Sequence, residues 1–117
     1  MRRVTVLYRP VGETELELIR QADSLRFPAR LPVQPIFYPV MTAEYAAQIA
    51  REWNARDGER GYVTRFAIDA DYLDKFEPKQ VGARIHTEYW IPAEELQVFN
   101  DNIVGTIEVI ASFRGDE

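Results

Sequence analysis

A chain of 117 residues, 46% hydrophobic and 28% charged, has room for one domain around one core, and its composition is neither disordered nor membranous. Fourteen Lys and Arg against nineteen Asp and Glu leave a net charge of −5, which argues against a broad basic surface for nucleic-acid backbones. With no cysteine and one histidine there is no disulfide, no thiolate metal site and no cysteine nucleophile, and little from which to build a zinc or iron centre.

No apolar run approaches the length of a bilayer span. Met1-Arg2-Arg3 passes straight into β-branched residues without an apolar signal segment. The expectation is a single domain over residues 1–117, cytoplasmic, with no membrane partner and no metal. A local basic patch from Arg26, Arg30, Arg65 and Arg84 is compatible with the net charge.

The elements follow in chain order. Arg3 to Arg9 alternates with β-branched residues and predicts a first strand closed by Pro10. Thr14, with Glu17 three residues on, predicts a capping box that opens a helix from Glu15 to about Asp23. Leu16, Leu18, Ile19 and Ala22 form its buried stripe. Between Ser24 and Pro39, the prolines at 28, 32, 35 and 39 exclude a helix and predict an extended loop, ending in a short strand at Ile36-Phe37-Tyr38. Loops of this length in small domains often form pocket walls.

Thr42 caps a second helix, Ala43 to about Arg56, with Tyr45, Ile49 and Trp53 at helical spacing and Gly58 and Gly61 marking its end. Tyr62 to Ile68 alternates as a strand, and Asp69 to Phe76 reads as a turn or one short helix. Then comes an aromatic strand that sends Ile85, Thr87, Tyr89 and Ile91 to one face and His86, Glu88 and Trp90 to the other, ended by Pro92. A short helix at Ala93 to Phe99 and a long strand from Ile103 to Phe113 complete the chain. The last strand is expected to place Ile107, Val109, Ala111 and Phe113 on one face. The order predicts an α+β fold with a largely antiparallel sheet, twisted or split, covered by two main helices.

Glu88 carries two readings at this level. One is a half-exposed strand carboxylate paired with an arginine on a neighbouring strand, Arg65 being the candidate; the other is a working acid in a cleft. Trp53 and Trp90 read as packing residues. No glycine-rich phosphate loop and no nucleophile elbow is present.

Three separated segments bear a family likeness: Leu7-Tyr8-Arg9 at the end of the first strand, Ile36-Phe37-Tyr38 leading to Thr42-Ala43-Glu44-Tyr45-Ala46, and Glu88-Tyr89-Trp90-Ile91-Pro92. Together they resemble the ADP-ribosyltransferase fold, in particular the small bacterial proteins labelled "ADP-ribosylation". The likeness spans nearly the whole chain. Two departures stand out: Phe37-Tyr38-Pro39 replaces the Ser-Thr-Ser run, and His86 occupies the place two before the glutamate that is acidic in arginine-modifying members. The latter points away from arginine-directed modification.

The resemblance implies NAD as donor substrate, with Glu88 as the catalytic carboxylate. Departure of nicotinamide leaves an oxocarbenium-like ribosyl centre, which a fixed carboxylate stabilises. Tyr8 and Arg9 would belong to the cofactor site, Arg9 holding ribose or pyrophosphate. Tyr45 or Phe37 would stack on nicotinamide, although the stripe of Tyr45 with Ile49 and Trp53 also reads as core. Tyr38 neighbours Phe37, so only one of the two can face a given side. His86 lies on the face of Glu88 within reach of a shared ligand, and otherwise reads as a surface residue. The acceptor of ADP-ribose stays open. The alternatives to an enzyme are a non-catalytic binding or regulatory module with this fold, and a structural domain that forms a homodimer through the edge of its last strand.

Overall fold

Alternating β-branched and apolar residues carry the first strand further than its proline suggests. In the computed structural model, which describes residues 3–30, 33–55, 59–82 and 86–114, β1 runs Val4–Gly12 and pairs with β3, Arg60–Asp69, in an unbroken antiparallel register from Val4↔Asp69 to Gly12↔Gly61. Pro10 therefore does not close the strand. Tyr8 directs both its N–H and its C=O to Val40, away from β3, and Pro10 two residues later faces the same way. Its missing N–H removes nothing from the β1–β3 ladder.

On its other side β3 pairs with β7, Ile103–Arg114, giving a three-stranded sheet ordered β1-β3-β7. The β3–β7 register slips twice, between Val63 and Thr64 and between Arg65 and Ala67. Gly105 supplies the left-handed backbone at the second slip, φ 84°, and Ile107 N–H leaves the ladder to donate to Ser24 O at 2.7 Å. These bulges break the single-face series expected for the last strand: Ile107 is buried, whereas Val109 and Ile110 are each 44% exposed.

Two further pairs are short: β2, Ile36–Phe37, with β6, Ile91–Pro92, and β4, Lys79–Gln80, with β5, Thr87–Glu88. The expected aromatic strand is thus two strands, because Glu88 and Ile91 pair with different partners; Ile85 lies outside the described residues. Among the described residues there are four α-helices, and the molecule is one α+β domain with antiparallel sheets.

Helix α1, Glu13–Gln21, starts two residues earlier than expected. β1 runs directly into it, so Gly12 takes the capping position without a side-chain bond and the Thr14–Glu17 box does not form. Glu13 and Glu15 in the first turn favour the helix dipole instead. Helix α2, Ala43–Ile49, has the expected cap, Tyr45 N–H donating to Thr42 Oγ1 at 3.1 Å. It then widens into a π-helical turn over Ala50–Asn54, closed by Ala55 N–H to Ala50 O at 2.8 Å. More residues per turn shift the phase of the stripe, and Trp53 emerges 63% exposed rather than packed. Gly58 lies outside the described residues. Asp69 caps α3, Ala70–Leu73, and a 3₁₀ turn at Ala93–Glu95 leads into α4, Leu96–Asp101.

The sheet is covered on both faces. Leu7, Val11, Phe66 and Ile68 meet Leu16 and Ile19 of α1, Phe27, Phe37 and Phe99 in the main core. The Phe27 ring sits 5.0 Å from both Phe37 and Phe66. On the opposite face Val63 and Val40 pack against Ala46 and Ala50, with Tyr8, Tyr45, Ala111 and Phe113 at the margin. Small residues let α2 lie close. At Gly61 the approach is tightest: a Cβ there would stand 2.2 Å from Ala50 O.

Candidate functional site

The proline-rich segment brings the two halves of the site together. Pro39, Val40 and Met41 lie between β1 and β5 as an unlabelled strand. Tyr8 and Val40 exchange bonds of 2.9 and 2.8 Å, Met41 N–H donates to Thr87 O, and Tyr89 N–H donates to Pro39 O. Val40 bridges Tyr8 on one side and Glu88 on the other. Bridged partners share a face, so Tyr8, Val40 and Glu88 all project toward α2. The same ladder places Arg65 beyond Tyr8, opposite Glu108. Two strands separate Arg65 from Glu88, roughly 14 Å at three strand spacings, so the expected ion pair does not form.

Glu88 is held by two neutral donors. Tyr45 Oη donates to Oε2 at 3.1 Å and Trp90 Nε1 to Oε1 at 2.8 Å. Trp90, read from sequence as a packing residue, is half exposed and orients the carboxylate. Its signal was the i, i+2 spacing from Glu88, which returns a side chain to the same side of an extended chain. Lys79 stands opposite Glu88 in the β4–β5 pair, yet its ammonium lies over the Trp90 indole and 3.9 Å from Glu77. Among the described residues Glu88 takes part in no ion pair.

The other expected residues divide. Tyr45 reaches the site with its hydroxyl while its ring packs beside His86, centroids 4.6 Å apart, and at the margin of the small core. Burial, reinforced by the Glu88 charge and hydrogen bond, pushes the Tyr45 phenol up to about 12. His86 shares the Glu88 side, and its Nε2 is 3.1 Å from Gln48 Oε1. Tyr38 is exposed, its ring edge-on to Trp90 at 6.2 Å. Phe37 is 1% exposed and wedged among Phe27 and Phe99, so it has no face to offer a ligand; alternation gave the outward side to Tyr38.

Arg9 alternates to the opposite side of β1 from Tyr8. Its guanidinium makes a two-pronged pair with Glu15, Nε to Oε2 at 2.7 Å and NH2 to Oε1 at 2.9 Å, above the Phe37 ring at 4.5 Å. Beyond Tyr8, β1 has no bridge to the 39–41 segment, and a cavity of about 410 Å³ opens there. Arg9, Tyr38, Asn54, Glu88 and Trp90 line it, with apolar wall from Pro10, Val40 and Ile49. Arg9 and Glu88 thus border one hollow although their strands send them to different faces.

Asn54 is the residue that pattern reading missed. It ends the π-helical turn, lines the cavity, and its Oδ1 is buried without a hydrogen-bond partner. A π-turn leaves no mark in hydrophobic periodicity, so no sequence signal pointed to it. Of the four arginines whose clustering the net charge allowed, Arg26 pairs with Asp101, Arg65 faces Glu108, Arg30 lies beside Arg9 and Glu15, and Arg84 is outside the described residues. No described helix is long and apolar enough to cross a membrane, and no group of three or more described acidic or histidine side chains is placed to hold a metal. No family model, curated protein or solved structure matches this chain.

Proposed function

We propose that this protein is an ADP-ribosyltransferase-like domain that binds NAD at the Arg9–Glu88 hollow and cleaves its nicotinamide–ribose bond, passing ADP-ribose to an acceptor or to water. One observation carries the reading: a carboxylate fixed by Tyr45 and Trp90, with no ion pair among the described residues, opens onto a cavity shared with an arginine. In this reading Glu88 stabilises the positive charge that develops on the ribose as nicotinamide leaves. It needs no reorganisation, since its two donors already hold it. Trp90 and Tyr38 supply exposed aromatic faces for a planar ring, the role that Phe37 is too buried to take. Pro10, Val40 and Ile49 give one wall an apolar lining.

A second reading, a module that binds ligand without turnover, has its own support: Glu15 already occupies the Nε–NH2 edge of Arg9 with both its oxygens, so a ligand must compete for that edge of the guanidinium. One experiment separates the two. Enzymatic action requires NAD to raise the melting temperature and free nicotinamide to accumulate, with accumulation lost in Glu88→Gln. Stabilisation without nicotinamide release selects the binding module; neither effect dismisses both.

A further inference from the structure

Beside Arg9 lies a second, mostly buried guanidinium to which no described residue offers a hydrogen bond. The Arg30 side chain is 13% exposed, its Nε is buried without a partner, and its nearest carboxylate oxygen, Glu15 Oε1, lies 4.0 Å from NH1, beyond hydrogen-bonding distance. That oxygen is already taken by Arg9 NH2 at 2.9 Å. Both guanidiniums lie over Phe37, at 4.5 Å for Arg9 and 6.0 Å for Arg30. Two cations share one carboxylate, leaving an excess of one positive charge in a largely desolvated corner.

An arginine cannot shed its proton to escape this position. Burial first, and then repulsion from Arg9, bring the Arg30 pKa below its ordinary value, a sign that the charged form is uncomfortable there. A cation so placed, with fork-shaped donors unfilled, is the complement of an oxyanion with several acceptor oxygens. Position agrees. Arg9 lines the cavity, its NH1 is 3.5 Å from Tyr38 O, and Tyr38 forms the cavity wall and is also a charge neighbour of Arg30.

We propose that Arg9 and Arg30 together form a phosphate-binding subsite that extends the Glu88 hollow past Tyr38, and that Arg30 supplies the charge Glu15 leaves unmatched. That the bound phosphate is the diphosphate of a dinucleotide rests on the reading above; the subsite itself does not.

The test uses the full chain at low ionic strength and titrates inorganic pyrophosphate, inorganic phosphate and NAD by calorimetry into wild type, Arg30→Gln and Arg30→Lys. The expected result is pyrophosphate binding at one equivalent, weakened at least tenfold in Arg30→Gln and by less in Arg30→Lys, with phosphate weaker throughout. In parallel, the Arg30 Nε–H resonance of wild type shifts on adding pyrophosphate, a readout that does not depend on the variants folding. Pyrophosphate that fails to bind wild type, binds Arg30→Gln equally well, or leaves that resonance unmoved overturns the subsite. Pyrophosphate binding without NAD binding removes the NAD reading and keeps the subsite, whereas NAD binding indifferent to Arg30→Gln does the reverse.

Discussion

The Tyr45 hydroxyl donates to Glu88 Oε2 at 3.1 Å, and this bond ties the first turn of α2 to β5 across 43 positions of sequence. Trp90 holds the other oxygen at 2.8 Å, so the carboxylate has one orientation before any ligand arrives. Replacing Glu88 with Gln keeps the size but removes the charge and one acceptor. On the proposed reading, nicotinamide release from NAD should fall about 10²–10³-fold, the range for deleting a group aimed at a transition-state charge. Thermal unfolding moves little, because the residue is only half buried. Release rates measured alongside melting curves check both halves of this expectation.

Tyr45 also makes stability depend on alkaline pH. Its phenol is raised from an ordinary value of 10.0 to about 12, chiefly by burial, and that of Tyr72 is raised as well, by burial and its bond to Glu95. Both groups are neutral in either state below about pH 10, so their contribution is complete there. Above it the unfolded chain releases protons that the folded chain retains, and stability declines as pH climbs through the folded values. Denaturant midpoints measured from pH 8 to 11.5 should fall for wild type, and fall less steeply for Tyr45→Phe and Tyr72→Phe. Parallel slopes for all three would show that neither tyrosine contributes.

Gly61 tests how α2 is seated. A methyl group there would meet Ala50 O at 2.2 Å and Asn54 Cβ at 2.9 Å, and the first is backbone, which cannot swing aside. Gly61→Ala should destabilise by about 3 kcal/mol and push the π-helical turn off the sheet. Asn54 would then move from the cavity wall, so on the proposed reading stabilisation by NAD should weaken even at temperatures where the variant is folded. Circular dichroism melts with and without NAD measure both effects.

Much of this framework was legible in order and type. Alternation marked β1 and β3, Thr42 announced α2, and the spacing of prolines from 28 to 39 ruled out a helix where the described residues have none and β2 forms at Ile36–Phe37. What escaped has identifiable causes. Pro10 was read as a terminator because a single chain does not show which side of a strand its N–H will face. The π-turn moved Trp53 outward and Asn54 inward with no change in the pattern of residue types. The β7 bulges turned Val109 and Ile110 to solvent because the slip arises from pairing with β3 rather than from local preference. At the site, alternation correctly grouped His86, Glu88 and Trp90, but it could not reveal that Glu15, six residues from Arg9, would already hold that arginine.

The segment that forms the cavity wall is fastened by one buried side chain. Asn100 accepts from Phe27 N–H at 2.9 Å and donates to Phe27 O at 3.0 Å, matching both backbone groups of a residue whose ring fills the main core. Substituting Leu for Asn100 preserves volume but leaves that N–H and C=O buried and unpaired, at roughly 1–3 kcal/mol for each unsatisfied group. Arg30, Phe37 and Tyr38 all follow on the same segment, so the loss should reach the ligand site as well as the core. The expected outcome is a lower melting temperature, faster amide exchange at Phe27, and weaker pyrophosphate binding than in wild type. Asn100→Asp retains the acceptor for Phe27 N–H but loses the donor to Phe27 O, placing a charge in a buried position, and should be at least as damaging. If Asn100→Leu melts like wild type with exchange at Phe27 unchanged, the two bonds do not anchor the segment, and the wall is held by Phe27 packing and the backbone bonds of residues 35–41.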